Sequence, residues 1–296
     1  MATRRGKKWI VKRVLLVPHP TRTDAQELLS SAADFLERHG AQVIRRSVSD
    51  FSAKGGAEFG VGELDLVVTL GGDGTVLRAL QLVGDSETPI IAVNAGNLGY
   101  LTELAPDMLM ATLERWLQGA SFVEDDRMLL RVECNVRGVA THRFALNEAV
   151  VEKRESGHTV RVRVDIDDEV FTSFVADGVI VATPTGSTAY AFSARGPIIS
   201  PRQRAVLMTP VSPHMLFDRS LVLAGDEKLR ISVESNREVD LVVDGTVFAS
   251  LAHGDTVTCT GAERVARFLR LEPRRFHRIL KTKFGLADQV GGLDAQ

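Results

Sequence analysis

An α/β domain with a mostly parallel sheet, followed by a β-rich domain, is the fold class that this 296-residue chain predicts. Three observations predict it. Apolar runs alternate with segments of helical spacing over the first 120 residues, the period changes to two from about residue 121, and a glycine-rich turn joins a strand to a helix at residues 71–75.

The elements follow in order. Val14-Leu15-Leu16-Val17 reads as a strand, and Ala25, Leu28, Leu29, Ala32 and Leu36 then recur at helical spacing until Gly40 supplies a C-cap. Val43-Ile44, the run 64–70 and Ile90-Ile91-Ala92-Val93 read as further strands, with a helix from Thr75 and another from about Pro106 to Leu117, stopped at Gly119. That β-α-β order implies a parallel sheet covered by helices. Beyond residue 121, Val160, Val162, Val164 and Ile166 alternate with charged residues, and Asp167-Asp168 turns into the run 170–175, a hairpin signal. Further strands are expected at 129–132, 179–182, 229–233, 241–243 and 257–259. The stretch 273–284 reads as a helix with Phe276, Ile279, Leu280 and Phe284 on one face, able to pack on the first domain. The expected division is 1–120 for the α/β domain, 121–262 for the β-rich domain and 263–296 for a segment that returns to the first.

Gly71-Gly72-Asp73-Gly74-Thr75 follows the apolar run 64–70 and opens a helical stretch, so a carboxylate is delivered at a strand end among residues without Cβ. The glycines can take φ > 0 and let backbone approach a ligand, and the first N–H groups of the helix favour phosphate. In open α/β sheets ligands collect at the carboxyl ends of strands. The competing reading is a tight turn with an Asx hydrogen bond. The only Gly-Lys pair, Gly6-Lys7, lies in a basic tail with no strand before it, which excludes a Walker A loop, and no Gly-x-Gly-x-x-Gly follows a strand.

Composition narrows the classes. Hydrophobic and charged residues make up 44% and 25%, normal for a soluble domain, and a net charge of −2 gives no basic field for nucleic acid. The tail Arg4-Arg5-Gly6-Lys7-Lys8 reads as a solvated terminus, no run approaches a membrane span, and no signal peptide is evident, so the expected compartment is cytoplasmic. Cys134 and Cys259 read as two buried thiols without a zinc motif.

Two further segments are dense in ligand-type residues. Asn147-Glu148 is a polar pair between apolar neighbours, where something must satisfy it. Asp177-Gly178 leads through the strand 179–182 to Thr183-Pro184-Thr185-Gly186-Ser187-Thr188-Ala189-Tyr190-Ala191-Phe192-Ser193, which packs hydroxyls and a ring able to hold ribose and phosphate oxygens and cover a base.

Together with Asn94-Ala95-Gly96-Asn97-Leu98-Gly99-Tyr100-Leu101, these motifs occur in an order and spacing that resemble the NAD kinase family. Diacylglycerol and sphingosine kinases share the first motif, and a lipid kinase is the enzyme rival; a protein that senses NAD or NADP without turnover is the rival from another class. The resemblance implies phosphorylation of the adenosine 2′-hydroxyl of NAD to give NADP, with ATP or polyphosphate as donor and Mg²⁺ bridging donor oxygens without a dedicated metal residue. It implies an NAD site between the domains, and a homodimer or homotetramer whose subunits complete it. By the same resemblance Asp73 is the general base, Gly74 lets backbone approach the dinucleotide, and Arg78 meets phosphate. Asn147 and Glu148 bind the adenosine ribose and adenine region, and Asp177 the nicotinamide side. Thr188, Ala189, Tyr190, Ala191, Phe192 and Ser193 surround the adenine, and His158 helps hold the dinucleotide or is a surface loop residue. His214 and Asp244-Gly245 also stand at family-like positions, each with an ordinary structural reading beside it. Two departures stand out: Arg195 precedes Gly196 where relatives carry Gly-Gly, and Tyr100 replaces a commoner phenylalanine.

Overall fold

A computed structural model describes residues 11–46, 63–84, 86–96, 99–273 and 275–286. The basic tail at 4–8, Asn97 and Leu98 of the second motif, and Arg274 lie outside the described residues.

Strands β1 (Arg13–Pro18), β2 (Gln42–Arg45), β3 (Leu66–Gly71) and β4 (Ile90–Asn94) pair in parallel in the order β2-β1-β3-β4. Because side chains alternate along a strand, both faces are apolar and both are covered. Val14, Leu16, Leu66 and Val68 pack against α1 (Thr23–Arg38) and α3 (Leu109–Leu117), while Leu15, Val17 and Val67 pack with Val76 and Ala79 of α2 (Asp73–Val83). Gly40 and Gly119, at φ 82° and 73°, follow α1 and α3 as the caps read from sequence.

Helix α2 begins at Asp73, two residues before the expected Thr75, with Gly72 as N-cap. A carboxylate in the first turn is favoured by the helix dipole, which accounts for the earlier start. The expectation that the glycines adopt positive φ is corrected: none of Gly71, Gly72 and Gly74 does. Gly71 is required for space, since a Cβ there would lie 2.2 Å from Thr75 Oγ1, whereas Gly74 faces open space.

The second half is built from β5 (Val123–Val136), β6 (Val139–Ala145), β7 (Glu148–Lys153), β8 (Val160–Ile166), β9 (Glu169–Ala176), β10 (Gly178–Ala182), β11 (Ala205–Val211), β12 (Leu221–Ala224), β13 (Leu229–Val233), β14 (Val239–Val243), β15 (Thr246–Leu251) and β16 (Thr256–Arg270). One sheet is antiparallel, in the order β12-β11-β10-β7-β14-β15. The other continues the parallel sheet beyond β4 as β16-β13-β8-β9, with β5 on β16 and β6 on β5. Phe174, Val162, Val181, Met208 and Leu241 fill the core between the two. Burying side chains of this size is worth roughly 1.5–3 kcal/mol each.

Strand β16 joins the halves. It pairs antiparallel with β5 and β13, and its Phe268 pairs in parallel with Ile90 of β4. It runs through residues 262 and 263 with an irregularity between Gly261 and Val265, where Gly261 N–H meets the Gly225 carbonyl at 3.0 Å. The chain thus regains the first domain as a strand. Helix α5 (Phe276–Lys283) follows, and the expectation that it buries an apolar face on the first domain is corrected, because none of its residues is buried. It makes edge contacts on both halves instead: Phe284 lies 5.3 Å from Phe192, and Lys283 Nζ stands 4.5 Å from the Tyr100 ring. Cys134 and Cys259 are free and buried, and burial pushes the Cys259 thiol up to about 12. No helix among the described residues is long and apolar enough to cross a membrane.

Candidate active site

Asp73 stands half-buried at the first position of α2. Its Oδ1 accepts the N–H groups of Leu101 (2.9 Å) and Thr102 (3.2 Å) and the Thr102 hydroxyl at 3.4 Å, while Oδ2 accepts the Tyr100 N–H at 2.7 Å. The glycine turn is thereby tied to the loop at 99–102. Gly99 is glycine for the same reason, since a Cβ would lie 2.2 Å from Asp73 Oδ1. Burial and the Asp73 charge raise the Tyr100 hydroxyl pKa. In front of the turn, His19 and Pro20 from just beyond β1 join Gly72, Gly74, Thr75 and the exposed Arg78 around a cavity of about 230 Å³. Backbone N–H groups at a helix start beside a guanidinium suit phosphate oxygens.

The backbone of the 147–148 segment is held from an unexpected direction. Asp244, at φ 47° with Gly245 at 75°, forms the β14–β15 turn, and its buried carboxylate accepts the N–H groups of Leu146 (2.8 Å), Asn147 (2.8 Å) and Glu148 (3.1 Å). Asp244 is thus a hairpin-turn residue, and its carboxylate reaches back to the backbone that carries Asn147 and Glu148. Burial pushes Asp244 up to about 6, against the lowering by those three donors. Burial, then the neighbouring Asp244, pushes Glu148 up to about 8, while the Tyr190 backbone N–H opposes the shift. Glu148 Oε2 is buried without a hydrogen-bond partner among the described residues. At neutral pH this carboxyl is protonated, so it offers a donor as well as an acceptor.

Asp177, between β9 and β10, pairs with Lys153 Nζ at 2.6 Å. Lys153 also lines a crevice of 270 Å³ with Arg154, Arg237, Glu238 and His158, so the exposed His158 lies on the Lys153 side of the site and away from the Asp73 turn's own cavity. His214 is an exposed loop residue whose N–H donates to the Val175 carbonyl.

The loop after β10 is differently organised from its expected form. Its hydroxyls hold the loop's own backbone: Thr183 Oγ1 accepts the Gly186 N–H, Ser187 Oγ donates to the Pro184 carbonyl and accepts the Ile199 N–H, and Thr188 Oγ1 donates to the Thr185 carbonyl. Gly186 presses on Asn147, where a Cβ would lie 2.1 Å from the Asn147 carbonyl oxygen. What faces outward is the half-exposed ring of Tyr190, then Phe192 and Ser193, while Ala189 sets the bend into α4 (Tyr190–Ser193) and Ala191 is fully buried. Burial, followed by the charges of Glu152 and Asp177, raises the Tyr190 hydroxyl pKa. Arg195 adopts φ 67°, so the departure from Gly-Gly occupies a position where glycine is the unstrained residue.

Sequence reasoning missed the residues that join these parts. Arg127 and Asp125 of β5 and Arg270 at the end of β16 form one buried cluster, with Arg127 bidentate on Asp125 at 2.7 and 2.8 Å and Arg270 at 3.2 Å from the same carboxylate. Arg270 Nη1 donates to the Leu101 carbonyl at 2.8 Å, and Arg127 Nη1 reaches Thr185 Oγ1 at 3.5 Å. No local spacing announces a cluster whose members lie up to 145 residues apart. His19 and Lys153 were missed as well, although His19 has a legible signal, its place just beyond a strand's carboxyl end.

Among the described residues no three His, Cys, Asp or Glu side chains converge to hold a metal ion. Asp73 is the one acidic side chain at the glycine turn, and its oxygens are engaged by backbone donors.

Comparison with known proteins agrees with this geometry. Residues 3–121 match the family model of the ATP-NAD kinase N-terminal domain and residues 146–271 that of the C-terminal domain. An NAD kinase of Moorella thermoacetica is 36% identical over 92% of this chain and 89% of its own, and one of Geotalea daltonii 40% identical over 75% and 78%. Among solved structures, yeast NADH kinase complexed with NADH aligns with a TM-score of 0.84 at 25% identity, covering 96% of this chain and 90% of that one. An NAD kinase from Archaeoglobus fulgidus in complex with ATP aligns at 0.68 and 25% identity, covering 94% and 100%. A chain that matches both domain models and curated relatives over most of its length belongs to the NAD kinase family.

Proposed function

We propose that this protein transfers the terminal phosphoryl group of ATP to the 2′-hydroxyl of the adenosine ribose of NAD, giving NADP, with Asp73 as the general base. The observation that carries this reading is the uneven use of the Asp73 carboxylate. Oδ1 receives three donors and Oδ2 only the Tyr100 N–H, so Oδ2 keeps a lone pair for the substrate hydroxyl. A loose phosphoryl-transfer transition state asks chiefly for placement, and a carboxylate fixed by three backbone donors is already placed.

The acceptor is held, in this reading, by the second half of the chain. Among the described residues Glu148 Oε2 lacks a hydrogen-bond partner, and the Tyr190 ring beside it is half-exposed, which suits a purine with its ribose: one hydrogen-bonding edge and one stacking face. Asn147 and Asp177 add polar contacts, with Thr188, Ala189, Ala191, Phe192, Ser193 and His158 shaping the surround. The donor's phosphates enter the cavity lined by His19, Gly72, Gly74 and Arg78. Polyphosphate presents the same oxygens and is a second donor to assay. The residues fit a Mg²⁺ ion that would be held chiefly by the donor, because a cation of that kind takes few protein ligands and no three His, Cys, Asp or Glu side chains converge among the described residues. When bound it neutralises charge on the transferring group.

Assembly of two or four copies and a cytoplasmic location belong to the same reading; light scattering and fractionation check them. The deciding experiment supplies NAD, ATP and Mg²⁺, with diacylglycerol as the alternative acceptor. NADP formation supports the proposal, and phosphorylation of the lipid, or nucleotide binding without turnover, contradicts it.

A further inference from the structure

Arg127, Asp125 and Arg270 bury two guanidinium groups around one carboxylate, with side-chain exposures of 5%, 18% and 4%. Such a cluster is a poor way to gain stability, since an apolar cluster of equal volume does as well or better. Its reach argues for a different role. Arg270 Nη1 holds the Leu101 carbonyl, and the Thr102 N–H, in the same peptide unit as that carbonyl, donates to Asp73 Oδ1 at 3.2 Å. Arg127, on the other side of Asp125, points Nη1 at Thr185, in the loop that carries Tyr190. Glu103 Oε2 adds a longer contact to Arg270 at 3.6 Å. One carboxylate therefore sets the separation between the loop that aims Asp73 and the loop assigned to the acceptor, although neither arginine lies at the reacting atoms.

We propose that Arg270 is a positioning residue for phosphoryl transfer, fixing the peptide at Leu101 so that Asp73 is aimed at the acceptor hydroxyl, and that Arg127 fixes the Thr185 loop from the same Asp125 carboxylate. The inference rests on the reading of Asp73 as the base. A peptide plane free to turn at Leu101 releases one of the donors that hold Asp73, and a displacement of about 1 Å at a reacting group costs up to about 100-fold in rate. Lysine keeps the charge of arginine but cannot hold Asp125 and the Leu101 carbonyl together in a planar fork.

The test is a cycle of Arg270→Lys and Asp73→Asn in the full-length protein, with kcat, the KM for NAD and the melting temperature read on each. Arg270→Lys is expected to lower kcat by about 10- to 100-fold with the KM for NAD within about twofold of wild type. In the Asp73→Asn background the same replacement is expected to change the residual rate by less than about twofold, because the group it aims is gone. A lowered melting temperature with unchanged kcat, or an equal loss of rate in both backgrounds, would overturn the proposal. Failure of the underlying reading looks different, since Asp73→Asn alone would then retain its rate. If Arg270→Lys is too unstable to assay, Arg127→Lys reads the other arm: a rise of about threefold or more in the KM for NAD supports the proposal, and an unchanged KM overturns it.

Discussion

Replacing Glu148 with Gln should change how stability depends on pH before any substrate is added. Burial and Asp244 hold Glu148 at about 8 in the folded protein, against 4.5 for the free side chain. Between those values the folded state binds one proton more than the unfolded chain, so stability falls as pH rises, by about 1.4 kcal/mol per unit. From about pH 5 to about pH 8 the loss approaches about 4 kcal/mol, present in full below the unfolded value and gone above the folded one. Asp244, raised from 3.8 to about 6, adds a slope of the same sign at lower pH. Glutamine fills the same space without titrating, so the variant should be nearly flat between about pH 6.5 and 7.5 and more stable than wild type at the upper end. Urea unfolding of the ligand-free protein at about pH 5.5, 6.5 and 7.5 measures this directly. Parallel curves for the two proteins, or a wild type that gains stability with pH, would show that Glu148 is ionised in the fold and refute the reasoning.

Other expectations follow from the same geometry. Tyr190→Phe should leave NAD affinity nearly unchanged while Tyr190→Ala weakens it by about 1–3 kcal/mol at a similar melting temperature; calorimetric titration and thermal melting on the same samples separate a stacking ring from a packing one. Gly186→Ala drives a methyl group into the Asn147 carbonyl and should cost about 1–3 kcal/mol in urea unfolding, with unchanged stability counting against the close approach. Arg195→Gly relieves a left-handed backbone at φ 67° and should be neutral or stabilising by up to about 1 kcal/mol; a clear loss would mean that the Arg195 side chain has a role its conformation does not reveal.

Local signals were legible. Strands β1, β3 and β4, helices α1 and α3 with their glycine caps, and the β8–β9 hairpin follow from period and punctuation, and the Asp167-Asp168 turn indeed has φ 48° and 67°. The long strands were legible only in part. The first half of β5 reads Val-Glu-Asp-Asp-Arg, polar because Glu124 and Asp126 pair with Arg267 across on β16, and an irregularity at residues 261–265 breaks the alternation of β16. Strands β7 and β11 are buried along nearly continuous runs, where period carries no information. Motif spacing put Asp73, Glu148 and Tyr190 forward as site residues, but their partners come from distant segments. Asp244 caps residues 146–148 from about a hundred positions away, and Lys153 meets Asp177 across neighbouring strands. The hydroxyl loop shows the limit of residue type as a guide: its Thr and Ser side chains suit a ligand, yet most of them serve to fold the loop.

The most direct test of Asp73 as base compares wild type with Asp73→Asn for NADP formation from NAD, ATP and Mg²⁺, alongside NAD affinity. Asparagine keeps the size of the side chain but cannot accept the hydroxyl proton, so turnover should fall by about 10²- to 10⁴-fold while NAD binds as before. A variant that turns over at the wild-type rate, or a wild type that makes no NADP, would contradict the mechanism.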